Sequence, residues 1–145
     1  MSVLFEQVFY RELNSRQQEA YNFQKVSAVL ADFGYATIRL SSDWSGADFI
    51  AQHLDGKTFL KVQLKGRLSF YKKYSEKELY ICFRDGNRWY LYPHDELLAK
   101  VLAEGLLAGT ESWDVREGYS FPGLSQRLEE LLEPYRIPLV PAKGL

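Results

Sequence analysis

The chain has 145 residues, 46% of them hydrophobic and 26% charged, an ordinary globular composition with enough length to bury a core. No uninterrupted apolar run approaches the roughly 18 residues of a membrane span, and a lone cysteine, Cys82, excludes an internal disulfide framework and an all-cysteine metal site. With a formal net charge of -1, any nucleic-acid role needs a local basic patch rather than a basic whole.

The opening "MSVLFEQVFYREL" carries Glu6 and Arg11 among its apolar residues and no small-residue cleavage site, so it does not read as a signal peptide. A cytoplasmic location is the expectation. The spacing of Val3, Leu4, Val8 and Phe9 predicts a short helix over residues 2–13. Ser15 followed by Gln18 fits a capping box. A second helix is predicted from there to about Phe33, with Gly34 as its stop. Its apolar stripe is Phe23, Val26, Leu30 and Phe33. One turn before Phe23 stands Glu19, which places a carboxylate on that stripe.

Beyond this helix, "YATIRL" reads as a strand and "SSDWSG" as a loop. "ADFIAQHL" and "KTFLKVQLK" read as two strands joined at Asp55-Gly56, a strong hairpin signal. "ELYICFR" and "RWYLY" form another hairpin around "DGN". "HDELLAKVLAEGLL" has helical periodicity, "GLSQRLEELL" is a shorter helix, and a Pro-rich tail begins at Pro134. The order predicts one domain over 1–145 of α+β or α/β class, a mixed central sheet flanked by helices. Its core motifs lie in 15–92, with a C-terminal helical segment over 94–145.

Charge is uneven along the chain. From Lys57 to Lys77 there are seven basic residues and a single acid, Glu76, whereas from Asp95 onward nine acids face five bases. Such blocks are often only solvated faces.

"KVQLKGR" puts Lys61, Gln63, Lys65 and Arg67 on one side of a strand and Val62 and Leu64 on the other. If Asp55 and Gly56 form the turn, Leu54 pairs with Lys57, and counting outward sets Asp48 opposite Gln63. A symmetric four-residue loop keeps this register; a one-residue bulge breaks it. Opposed residues have Cβ atoms roughly 5 Å apart, so Asp48 and Gln63 can share one cation, with Lys65 one pleat away. Carboxylate, amide and carbonyl oxygens suit hard divalent ions such as Mg²⁺. Asp48, Gln63 and the intervening Leu64 carbonyl could supply part of that shell. The metal would polarise a phosphodiester and activate water, and Lys65 would stabilise transition-state charge or orient the water.

The pattern of Asp48, a turn, then Gln63-Leu64-Lys65, preceded by Glu19 on a helix, resembles the PD-(D/E)XK nuclease superfamily. The likeness runs through "QEAYNFQKVSAVLADFGYATIRLSSDWSGADFIA" and "LKVQLKGR", closest to Holliday-junction resolvases and small homing endonucleases. It implies a restriction-endonuclease-like fold, with Glu19 as the helical glutamate, Asp48 as the aspartate and Lys65 as the catalytic lysine. Two positions depart from the pattern. Ala47 replaces the proline, and Gln63 replaces an acid, which lowers the formal charge of the ligand set.

The reading is therefore a metal-dependent DNA endonuclease using Mg²⁺ or Mn²⁺, with catalytic Glu19, Asp48, Gln63 and Lys65. Its metal ligands are Asp48, Gln63, Leu64 and Glu19. Lys61, Arg67, Lys72 and Lys73 would contact phosphates, and Tyr71 would stack on bases. Cutting both strands calls for two sites, hence a homodimer, with the apolar N-terminal segment as an interface. A catalytically silent DNA-binding module of the same fold and a protein-interaction domain are the alternatives. Asp43 and Glu12 are rival acids, Asp43 being placed in a loop. His53 and Cys82 read as structural.

Overall fold

The structure, a computed structural model, describes residues 4–44, 46–107 and 110–141. Residues 4–9 form no helix and lead, through an extended Phe9, into a 3-10 turn at Tyr10–Glu12. The helix expected over 2–13 is thus not formed, and its first two positions lie outside the described residues. A short helix needs an apolar surface to pack on, whereas Leu4, Phe5, Val8 and Phe9 all remain exposed.

Helix α1 spans Ser15–Ala31. Its capping box sits one residue earlier than expected. Asn14 Oδ1 accepts the Gln17 N–H at 2.9 Å, and Gln17 Oε1 accepts the Asn14 N–H at 3.0 Å. Asparagine caps as well as serine does, so both sequence registers were chemically open.

Strands β1 (Tyr35–Trp44), β2 (Ala47–His53) and β3 (Phe59–Leu64) form an antiparallel meander. β1 runs through residues expected to be a loop, so the backbone of Asp43 belongs to a strand. The pairing shifts between Arg39 and Trp44, and an irregularity of this kind lets a strand pass an unpromising "SSD". Ser45, part of that same expected loop, lies outside the described residues.

The β2–β3 turn is a four-residue loop closed by the His53 N–H on the Thr58 carbonyl, not the two-residue turn expected. Asp55 organises it by accepting the Thr58 and Lys57 N–H groups and the Thr58 hydroxyl, which together hold its carboxyl at about 2. The register survives, because this loop is symmetric: Phe49 pairs with Val62, Ile50 with Lys61 and Ala51 with Leu60.

After β3 the chain leaves the sheet through the short β4 (Ser69–Tyr71) and a 3-10 turn at Lys72–Tyr74. It returns as β5 (Leu79–Asp85), parallel to β3, and turns back as β6 (Arg88–Pro93). The central sheet is mixed, in the order β1-β2-β3-β5-β6. Helix α2 follows at His94–Ala103, then the one-turn α3 (Glu111–Asp114), strand β7 (Gly118–Ser120) and α4 (Gln126–Leu132). The C-terminal segment, expected to be helical, therefore also supplies β7, which pairs with β4 in a second sheet. Three-residue strands are too short for periodicity to reveal.

Two cores result. Val26 and Leu30 of α1 pack on Phe49, Ala51, Leu60, Val62 and Cys82 on one face of the sheet. On the other face Ile81, Phe83, Tyr90 and Tyr92 lie under Leu97 and Val101 of α2 and Leu128 and Leu132 of α4. This second cover does not extend to the outer strand, where Ile38 is 54% exposed. The fold class read from sequence, a mixed sheet with flanking helices, is the one observed. No helix among the described residues is long and apolar enough to cross a membrane.

Candidate active site

Asp48 stands at the start of β2, half-buried, and its Oδ2 accepts the Leu64 N–H at 2.8 Å. This bond ties the beginning of β2 to the end of β3, where the ladder running from Gln52–Phe59 to Phe49–Val62 brings Gln63 level with Asp48. Lys65 lies one residue past the strand, its N–H on the Cys82 carbonyl of β5 at 2.8 Å. Glu19, Asp48, Gln63 and Lys65 all line one open cavity of about 540 Å³, walled by the first half of α1 and by the ends of β1, β2 and β3.

Glu19 differs from expectation in one respect: it is exposed, not buried with the stripe. The stripe proper begins at Phe23, whose ring meets Phe49 edge-on at 5.3 Å. Glu19, one turn earlier, is exposed and lines the cavity.

Two cavity residues escaped the sequence reading. Arg39 reaches the wall from β1, its guanidinium 5.5 Å from the Phe23 ring. Asn22 donates from Nδ2 to the Tyr10 hydroxyl at 2.8 Å, while its buried Oδ1 has no hydrogen-bond partner among the described residues. A buried acceptor left without a donor marks a place where water or a ligand can bind. Asn22 follows Glu19 by three residues, and positions so spaced share a helix face; that signal was available. Arg39 carried none, because "TIRL" does not show which of its faces meets a cavity.

The expected nucleic-acid contacts separate into two groups. Lys61 shares the face of Gln63 but donates to the Lys77 carbonyl at 2.5 Å. It lines a different cavity, of about 520 Å³, with Lys57, Glu78 and Asp95. Arg67, Lys72 and Lys73 are exposed on the crossover between β3 and β5, with the Lys72 ammonium 5.0 Å from the Trp113 ring. Tyr71 is half-buried and Tyr74 buried, their rings 5.5 Å apart. Cys82 is fully buried, and burial pushes its thiol up, which keeps it protonated and inert. His53 packs edge-on against Tyr35 at 4.9 Å beside Asp55.

The donor set fits a hard divalent cation. Glu19 and Asp48 bring carboxylates and Gln63 an amide oxygen to one cavity. No cluster of three or more His, Cys, Asp or Glu side chains suited to a metal occurs among the described residues, so amide and backbone oxygens would have to complete the protein's share.

No family model matches the chain, and no curated protein does. Among solved structures it is similar to Hjc, a Holliday junction resolvase from the archaeal hyperthermophile Archaeoglobus fulgidus. The identity is 19% and the TM-score 0.41, over 51% of this chain and 76% of that one.

Proposed function

We propose that this chain is a metal-dependent DNA endonuclease of the PD-(D/E)XK type with glutamine at the second ligand position. The observation that carries the reading is the convergence of Glu19, Asp48, Gln63 and Lys65, drawn from a helix and two strands, on one solvent-open cavity. Asp48 and Gln63 would hold Mg²⁺ or Mn²⁺ together with the Leu64 carbonyl, and Glu19 would complete the protein's ligands. A divalent cation in such a site supplies Lewis-acid polarisation of the phosphodiester and lowers the pKa of bound water. Lys65 orients the attacking water or stabilises charge on the phosphoryl oxygens. Arg39 would clamp a phosphate from the β1 wall, as a guanidinium does well. Arg67, Lys72 and Lys73 hold the flanking backbone. A homodimer would give two such cavities, one for each strand.

Gln63 favours a second reading, a DNA-binding module of the same fold that has lost catalysis, because a neutral amide weakens the ligand set. The experiment is incubation of plasmid and branched DNA with the protein across Mg²⁺ and Mn²⁺, beside Asp48→Ala. Metal-dependent cleavage lost in Asp48→Ala is the expected result. Binding without cleavage in wild type, with cleavage gained by Gln63→Glu, selects the silent module. Cleavage that persists in Asp48→Ala places the activity elsewhere.

A further inference from the structure

The Lys65 ammonium does not hang free in the cavity. It lies over two aromatic rings, 4.8 Å from the centroid of Tyr71 and 5.5 Å from that of Tyr74. The Lys73 ammonium lies over the same two rings, at 5.6 and 5.2 Å. The rings are nearly perpendicular, at 72°.

This aromatic pair is itself held from several directions. The Tyr71 N–H donates to Nε2 of buried His94 at 3.2 Å, and the Tyr74 ring meets the His94 ring edge-on at 5.8 Å. His94 Nδ1 bonds Asp95 at 2.9 Å, and the other Asp95 oxygen accepts the Glu76 N–H at 2.9 Å. One histidine–aspartate unit therefore pins both ends of the turn from Tyr71 to Glu76. It also holds Glu76 in a left-handed conformation, φ 62°, which a non-glycine residue adopts at a cost. Tyr71 packs against Gly118, where a Cβ would come within 2.2 Å of its ring, and its hydroxyl reaches Ser120 Oγ at 3.2 Å. Tyr74 packs on Gly46, just ahead of Asp48, where a Cβ would stand 3.2 Å from the ring.

We propose that Tyr71 and Tyr74 form a bracket that positions the Lys65 ammonium beside the Asp48–Gln63 end of the cavity, and that His94 is the residue that fixes the bracket. An aromatic face attracts a cation through its quadrupole. A lysine side chain has four flexible torsions and no intrinsic aim, so two rings at right angles restrict it far more than one. Lys73, over the same rings, puts a second positive charge beside the first, where a phosphate can meet both. The bracket rests on the proposed function for its purpose but not for its existence.

The test uses the full chain and two readouts. Protons above an aromatic ring resonate upfield, so the ε-methylene protons of Lys65 should be shifted upfield in the wild type. They should move most of the way back toward ordinary positions in Tyr71→Leu, which leaves only the more distant Tyr74 ring, and be shifted again in Tyr71→Phe, which restores the ring without the hydroxyl. Cleavage by Tyr71→Leu should fall about tenfold in kcat, the scale on which lost orientation acts, with DNA affinity little changed and Tyr71→Phe recovering the rate. Ordinary Lys65 shifts in the folded wild type overturn the bracket, whether or not the variants fold. So does a Tyr71→Leu protein that keeps the Lys65 shift but binds DNA more weakly, the result expected if Tyr71 stacks on bases instead. A wild type that shows the shift but cuts no DNA supports the bracket and overturns the proposed function.

Discussion

The two ends of the central sheet are built differently. At β5 and β6 both faces are covered, α1 and Ile137 on one side and α2 and α4 on the other, and Phe83, Tyr90 and Tyr92 are all but fully buried. At β1 and β2 one face packs on α1 and the other stays open, with Ile38 largely exposed and Gln52 in solvent. The closed end buries most of the large aromatic side chains; at the other end the first half of α1 and the ends of β1, β2 and β3 leave room for the cavity lined by Arg39, Asp48 and Gln63. Charged groups can face water there without the cost of burial, while the closed end a few strands away keeps the scaffold rigid.

The contrast can be broken at either end. Phe83→Ala at the closed end should cost about 3–5 kcal/mol of unfolding free energy in a urea titration; a much smaller loss would mean that the two ends share the load. Asp48→Ala at the cavity end should instead reduce metal-dependent cleavage by at least about 10²-fold, the scale of a lost electrostatic contact, with a smaller stability cost of about 1–3 kcal/mol from the freed Leu64 N–H. Joint reversal of Lys72 and Lys73 to glutamate should weaken DNA binding and flatten its dependence on log salt by about two. An unchanged slope would make the crossover lysines a solvated face.

His94, at the start of α2, has a pH signature. Burial lowers its pKa, with the Asp95 hydrogen bond opposing. The Asp95 carboxyl is raised by burial but lowered further by the His94 and Glu76 bonds, and so stays ionised. The Tyr74 ring also faces the imidazole, and Lys57, Lys61 and Glu78 line the same cavity as His94. Because the folded pKa lies below the unfolded one, the unfolded chain takes up the proton first. Stability should therefore fall as pH drops through the ordinary histidine range, and level off below the depressed folded value. Melting temperature followed from pH 7 to pH 5 checks this, and a replacement of His94 that preserves folding should flatten the curve. The smallest effect is expected at Ile38→Ala, within about 0.5 kcal/mol, because the residue covers little.

Much of the cavity was legible because hairpin register is a counting problem. Once Asp55-Gly56 marked the turn, Asp48 had to face Gln63, and the error in loop length was harmless because two extra residues preserve the alternation. Glu19 was located by the same logic on a helix. The bracket was not legible, because Tyr71, Gly118 and Ser120 meet through a two-stranded sheet of three-residue strands far apart in sequence. Nor could any local pattern show that His94 turns inward. The N-terminal segment was misread for a related reason: its apolar spacing is helical, but among the described residues Leu4, Phe5, Val8 and Phe9 stay exposed, so no burial favours the helix.

The parallel pairing of β3 with β5 bears on when the cavity is complete during folding. The hairpin carrying Asp48 is local and can close in about 1–10 μs. Lys65 has no fixed place until the chain has looped through β4 and its turn, docked on β7 and α2, and returned as β5, a closure with its own entropic cost. A nascent or cleaved chain ending before Gly118 would carry Asp48, Gln63 and Lys65 but not the surface that seats Tyr71. In such a chain the Lys65 ammonium would lack the β7 support behind one of the two rings it lies over.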